Sequence, residues 1–184
     1  MNIEPPYENH NAYTSKQPLS AFTVRRALYW SLLVSPTAGL TYGGHGVWGW
    51  DDGTQAPFAH PNSGTPLPWR QALHMPAAEQ VAHIAALFGS LDWPRLVPAP
   101  EIVAVQPGEQ DVQRFIAAAK TPDGDLAVVY VPEDRCLALR LGALQPGLSA
   151  QWFDPTTGAR HAASLEATME TPGPGDWVLV ASKG

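Results

Sequence analysis

One cysteine, Cys136, stands in a chain of 184 residues. A single thiol excludes an internal disulfide and a cysteine-based zinc site. It sits in "RCLALRL", an alternating apolar run, where a buried strand thiol is expected rather than a reactive one. Basic residues are also scarce. Eleven Lys and Arg face seventeen Asp and Glu, giving a formal net charge of −6, and no basic run exceeds the pair Arg25-Arg26. A nucleic-acid partner, which demands a basic face, is therefore not expected. No apolar run approaches the roughly 20 residues that span a bilayer, so no membrane partner is expected. The six histidines lack the His-x-x-x-His spacing of a helical metal site; neither metal nor cofactor is expected. The opening "MNIEPPYENHN" has no basic start and no apolar stretch, so it is not a signal peptide. It reads instead as a strand end entering an active-site loop, with Met1 not the natural beginning of a domain. No internal repeat is present.

What is abundant is apolar surface and loop-forming residues. The chain is 45% hydrophobic, enough to bury a core, and carries nineteen prolines and sixteen glycines. Residues 19–34 read as a helix: Val24, Leu28 and Leu32 repeat at i, i+4 and i+8, Ser20 is the N-cap and Pro36 the stop. Residues 40–42 read as a short buried strand, and 43–68 as a loop of a length that is either functional or disordered. Residues 76–88 form a second helix with Val81, Ile84, Ala85 and Phe88 on its apolar face. This is the rhythm of βα units. "LDWPRLVPAP" (91–100) reads as a rigid linker without regular structure. Beyond it the period changes to that of strands. "RFIAAAK" and "DLAVVYV" flank the turn sequence "TPDG", "SAQWFD" and "ARHAA" flank "PTTG", and "DWVLVAS" closes the chain. Short strands separated by turn signals predict an antiparallel β-sandwich without long helices. Trp152 and Trp177 belong to its core, and no exposed aromatic row marks residues 101–184.

Several residues invite chemistry. Glu4 and Glu8 are two carboxylates of the kind a glycosidase pairs, or two solvated acids at a frayed terminus, which sequence physics alone favours. His10 and His45 either orient a sugar and tune a carboxylate or simply pack. "GLTYGGHGVWGW" (39–50) crowds Tyr42, His45, Trp48 and Trp50 onto one glycine-rich stretch. Trp is costly to expose, so the loop either buries its indoles or offers a ring to a ligand. The "GGHG" within it lacks the Lys-Ser/Thr end of a phosphate loop.

Six stretches carry a resemblance: "NIEPPYE" (2–8), "VRRALYWSLLVSPTAGLTYGGHGVWGW" (24–50), "LDWPRLVP" (91–98), "VVYVPED" (128–134), "QWFDPTTG" (151–158) and "DWVLV" (176–180). In this order they resemble the C-terminal part of the apiosidase-like glycoside hydrolases, (β/α)8 barrels, with the β-rich domain usually appended to them, labelled as the collagen-binding domain of a collagenase. The resemblance implies an α+β chain: the last βα units of a partial (β/α)8 barrel over 1–95, then an all-β antiparallel sandwich over 96–184. "NIE" would end the seventh barrel strand and "GLTYG" would be the eighth, with the active site at their C-terminal ends. Glu4 would be the catalytic carboxylate that attacks or stabilises the sugar, with a tyrosine hydroxyl holding it ionised. Tyr7, Tyr42, His45, Trp48 and Trp50 would bind substrate, a poly- or oligosaccharide. The first helix would carry an apolar side that this chain cannot fully cover.

The resemblance further implies hydrolysis of an O-glycosyl bond in plant-type polysaccharide. The general acid/base would come from an earlier strand, so this chain alone would be inactive unless the rest of the barrel or a partner chain completes it. The rival reading makes the sandwich the functional unit, a non-catalytic module that binds carbohydrate or protein or buttresses the barrel. Relatives of such a family are secreted or periplasmic; the chain itself carries no export signal that would assign a compartment.

Overall fold

The computed structural model describes residues 2–35, 38–58 and 60–183. They form an α+β fold, helices first and antiparallel sheets after them. Two compact units result, one from Met1–Leu28 and Gly39–Ala82, the other from Tyr29–Ala38 and His83–Gly184.

In the first unit, α1 (Ala21–Leu33) starts where the sequence predicts. The Ser20 hydroxyl accepts the Thr23 N–H at 3.2 Å, so the cap is real. Pro36, the expected stop, lies outside the described residues. Contrary to expectation, the apolar stripe of α1 is covered: Val24, Leu28 and Leu32 are all buried. Arg25 on the same helix donates to the Gln80 side chain of α3 (Pro76–Gly89). A four-residue helix, α2 (Trp69–Ala72), closes the long loop.

The expected strand at 40–42 forms only as isolated parallel bridges, Asn2 to Leu40 and Glu8 to Gly44. Each is a pair of backbone bonds: Asn2 N–H to Gly39 O at 3.1 Å with Thr41 N–H to Asn2 O at 3.0 Å, then Glu8 N–H to Gly43 O at 3.0 Å with His45 N–H to Glu8 O at 2.8 Å. Between the bridges one segment advances six residues (2 to 8) and the other four (40 to 44). The two surplus residues bow the first segment outward. Pro5 and Pro6 sit in the bow, where missing N–H groups cost no ladder bond. Parallel neighbours of this kind are what adjacent barrel strands make.

The second unit is a β-sandwich. Its larger sheet orders β1 (Val97–Pro98), β2 (Ala117–Lys120), β3 (Leu126–Val131), β8 (Trp177–Ser182), β5 (Ser149–Phe153) and β6 (Arg160–Ala163) side by side, every pair antiparallel. The smaller sheet pairs β4 (Cys136–Ala138) with β7 (Thr168–Glu170). Leu137 and Met169 of the small sheet share one buried core with Val129, Trp152, Trp177 and Leu179 of the large one. "LAVVYV" of β3 is buried at every position because both its faces are covered. Val129 and Val131 face the sandwich core. Tyr130, on the other face, stacks on Tyr29 with ring centroids 4.6 Å apart. The β2–β3 hairpin reverses at the predicted turn, where Gly124 takes φ +74° and donates to Thr121 O at 2.9 Å. Helical structure beyond residue 101 is confined to single turns such as Val112–Arg114.

Two expectations are corrected here. Cys136 is exposed, not buried: Leu137 and Leu139 take the inward phase of the alternation, which turns the thiol outward. The 91–100 stretch is not irregular, since Val97–Pro98 forms β1 and pairs with Lys120 and Ala119. Pro98 is tolerated because β1 is an edge strand.

Candidate active site

The outward bow of residues 3–7 builds one wall of a cavity of about 560 Å³ within the first unit. Glu4, Pro5, Pro6, Tyr7, His10 and Tyr13 line it from the N-terminal segment, and Trp48 and His60 from the glycine-rich loop and its continuation. Glu4 is exposed, with its backbone N–H bonded to Asn2 Oδ1 at 3.2 Å. The Tyr7 ring packs closely on Gly43; a Cβ at that position would run into it. Gly46 has φ +115°, and a side chain there would strike Leu67 O. Glycine is therefore required at both points, by close approach and by a left-handed backbone.

Rings continue around the wall. His10 meets Tyr7 edge-on at 6.5 Å and Tyr13 at 5.8 Å. Trp48 is sandwiched between His45 at 6.4 Å and His60 at 5.3 Å, both near parallel, with Phe58 edge-on at 6.1 Å. The Trp48 indole N–H is buried without a partner among the described residues.

Behind this wall lies a polar layer. Glu8 is buried; its Oε2 accepts the Tyr42 hydroxyl at 2.8 Å and the Ala77 N–H, in the first turn of α3, at 2.9 Å. Burial pushes the Glu8 carboxyl above its ordinary value, opposed by these two bonds and by the Arg25 charge. Burial and the adjoining Glu8 carboxyl also push the Tyr42 hydroxyl upward, so it stays a donor. His45 is fully buried. Its Nδ1 bonds Asn9 O at 3.2 Å, and since a carbonyl only accepts, Nδ1 carries the proton. Burial holds His45 below the usual histidine value; the Asn9 bond opposes this, while His10 and His60 add to it.

Of the six site residues predicted from sequence, Glu4, Tyr7 and Trp48 line the same cavity. Tyr42 does not hold Glu4; its hydroxyl is committed to Glu8. His45 lies behind the wall, against His10 at 5.0 Å. Trp50 is 68% exposed, in the left-handed backbone region at φ +51°, with its ring edge against Trp69 at 5.1 Å. On an extended strand residues two apart would share a face; this segment is a run of turns with Trp50 in the left-handed region, and Trp48 and Trp50 meet different rings. Tyr13 and His60 join the lining without any sequence signal. His60 falls in the stretch 51–68, which has no periodicity to read, and Tyr13 follows the motif-bearing segment with no mark of its own. Among the described residues the cavity offers one carboxylate, several flat ring faces and imidazole nitrogens, a lining suited to a neutral polyhydroxylated ligand. Among the described residues no group of three His, Cys, Asp or Glu is placed to hold a metal ion.

Residues 1–95 match the family model "Apiosidase-like, catalytic domain", and residues 97–182 match "Putative collagen-binding domain of a collagenase". A solved structure named "Glycoside hydrolase" superposes over 98% of this chain with a TM-score of 0.83 at 21% identity. A glycoside hydrolase of family 5 from Bacteroides vulgatus ATCC 8482 does so over 98% with a TM-score of 0.81 at 20% identity. The chain spans 42% and 41% of those two proteins. No curated protein matches the chain. With its first 95 residues, more than half its length, matching the catalytic-domain model, the chain belongs to the apiosidase-like glycoside hydrolase family.

Proposed function

We propose that this chain supplies part of the sugar-binding cleft of a glycoside hydrolase acting on plant-type polysaccharide. Residues 1–95 are the last βα units of the barrel and 96–184 a separate sandwich domain. Glu4 is the carboxylate that attacks or stabilises the anomeric centre, and Tyr7 and Trp48 bind the sugar. Tyr42 and His45 act from behind the wall, and Trp50 meets the more distant part of a long substrate. The supporting observation is that Glu4 and Tyr7, some forty residues before Trp48 in sequence, line one cavity with it. Among the described residues that lining holds a single carboxylate. Retaining hydrolysis needs a second carboxyl about 5 Å away and inverting hydrolysis one about 6.5–9.5 Å away. Glu8 cannot serve, because it is buried and bonded to Tyr42 and Ala77. Turnover therefore requires further barrel strands, and residues 1–184 alone bind sugar without cleaving it.

The test compares this chain with a version extended by its upstream coding sequence, on pectic oligosaccharides with reducing-end detection. The extended protein hydrolyses and the chain alone does not. In the extended protein Glu4→Gln abolishes turnover and spares binding, since the amide is isosteric but cannot attack. An extended Glu4→Gln protein with full activity overturns the assignment. A second reading makes the sandwich a buttress. In its favour, the Trp30 indole N–H on α1 donates to Phe115 O at 2.9 Å, tying helix and sandwich together within the second unit.

A further inference from the structure

His10 has its ring held on three sides, by Tyr7, Tyr13 and His45. Its backbone is held as well: its N–H bonds Tyr7 O at 3.2 Å and its carbonyl accepts Leu19 N–H at 2.9 Å. Nδ1 lies 2.8 Å from Asn11 O. A carbonyl oxygen can only accept, so Nδ1 carries the proton and, in the neutral ring, Nε2 is an acceptor. Nε2 has no protein partner among the described residues, and His10 lines the cavity that holds Glu4.

Building on the sugar-cleft reading above, we infer that His10 is a specificity-determining ligand contact. Its Nε2 accepts a hydrogen bond from one sugar hydroxyl and so selects a sugar bearing a hydroxyl at that position. The tautomer is set before the ligand arrives, by the Asn11 carbonyl, so the nitrogen meets a donor. A site built to bond a hydroxyl rejects the analogue that lacks it, because the acceptor is then desolvated without a partner.

The test uses residues 1–184 and isothermal titration calorimetry with methyl glycosides of apiose, arabinose and xylose, each beside its monodeoxy forms. Wild type loses about tenfold in affinity for one monodeoxy form of the sugar it binds. His10→Asn keeps an N–H for the Asn11 carbonyl but has no acceptor at the Nε2 position; it binds parent and monodeoxy sugars equally weakly. His10→Gln places an amide oxygen near the Nε2 position and restores part of the discrimination. If His10→Asn weakens parent and monodeoxy sugars by the same factor, or discriminates as wild type does, His10 is a structural residue and the inference falls while the sugar-cleft reading stands. If wild type binds none of the glycosides at millimolar concentration, the sugar-cleft reading falls, and this inference with it.

Discussion

Replacing Glu8 separates its packing role from its charge. In the folded chain one oxygen of this buried carboxyl serves two donors, the Tyr42 hydroxyl and the Ala77 N–H. Glu8→Ala leaves both unpartnered, and a buried unsatisfied donor costs about 1–3 kcal/mol. The sum is roughly 2–6 kcal/mol, with the lower half expected because the half-buried Tyr42 can turn its hydroxyl toward water. Glu8→Gln keeps an oxygen for both donors and removes the charge. What is lost is the attraction to the N-terminus of α3, about 0.3–1 kcal/mol, and to Arg25. What is gained is relief from burying an anion, and the upward displacement of the Glu8 carboxyl shows that this second effect is larger. The sign with pH follows. The folded state keeps its proton above pH 4.5, where the unfolded state has released it. Wild-type stability therefore falls as pH rises from 4.5 through the folded-state value, and Glu8→Gln escapes that fall. Urea unfolding from pH 4 to 8, followed by tryptophan fluorescence, to which Trp48, Trp50 and Trp69 of the same unit contribute, measures both. Glu8→Gln should equal or exceed wild type at pH 7, and its advantage should grow as pH rises from 4.5 and level off above the folded-state value. A Glu8→Gln protein more than about 2 kcal/mol weaker than wild type at pH 7, the cost of an unpartnered buried donor, would refute the reasoning.

Gly43→Ala should displace the Tyr7 ring and weaken binding of the methyl glycosides while leaving the fold intact; unchanged affinity would show that the ring yields without consequence. His45 is held neutral by burial, so its contribution is present above pH 6.5 and lost as pH falls below it. The loss of melting temperature between pH 7 and pH 5 should accordingly be smaller in His45→Gln than in wild type, and equal losses would count against it. Leu137→Ala, at a fully buried position in the small sheet, should cost about 2–5 kcal/mol in urea unfolding, against less than about 1 kcal/mol for a surface substitution such as Val112→Ala.

Much of the site is legible in the amino-acid order. Glu4 and Tyr7 stand in "NIEPPYE" and Trp48 in "GGHGVWGW", stretches whose resemblance marks them as candidates, and the three line one cavity. His10 is visible as a candidate, but an isolated histidine does not say whether it packs or binds. Tyr13 and His60 give no signal, because a loop without periodicity carries no information about which way its side chains face.

Local chemistry accounts for what the sequence determined alone. The start of α1 follows from Ser20 and an apolar repeat within four residues, the β2–β3 reversal from "TPDG", and the sandwich from short apolar runs between turn residues. These signals act between near neighbours, so they survive without knowledge of the fold. Tertiary structure decided the rest: that Tyr42 serves Glu8 and not Glu4, that His45 supports the wall from behind, and that Cys136 faces outward while Leu137 faces in. Each outcome depends on register between segments distant in sequence. A two-residue surplus between two parallel bridges moves Glu4 to the cavity and Glu8 to the first turn of α3, 69 residues away. A one-residue change of phase turns a strand side chain from core to solvent. Register is set by which segments pair and pack, and no pattern within either segment alone encodes it.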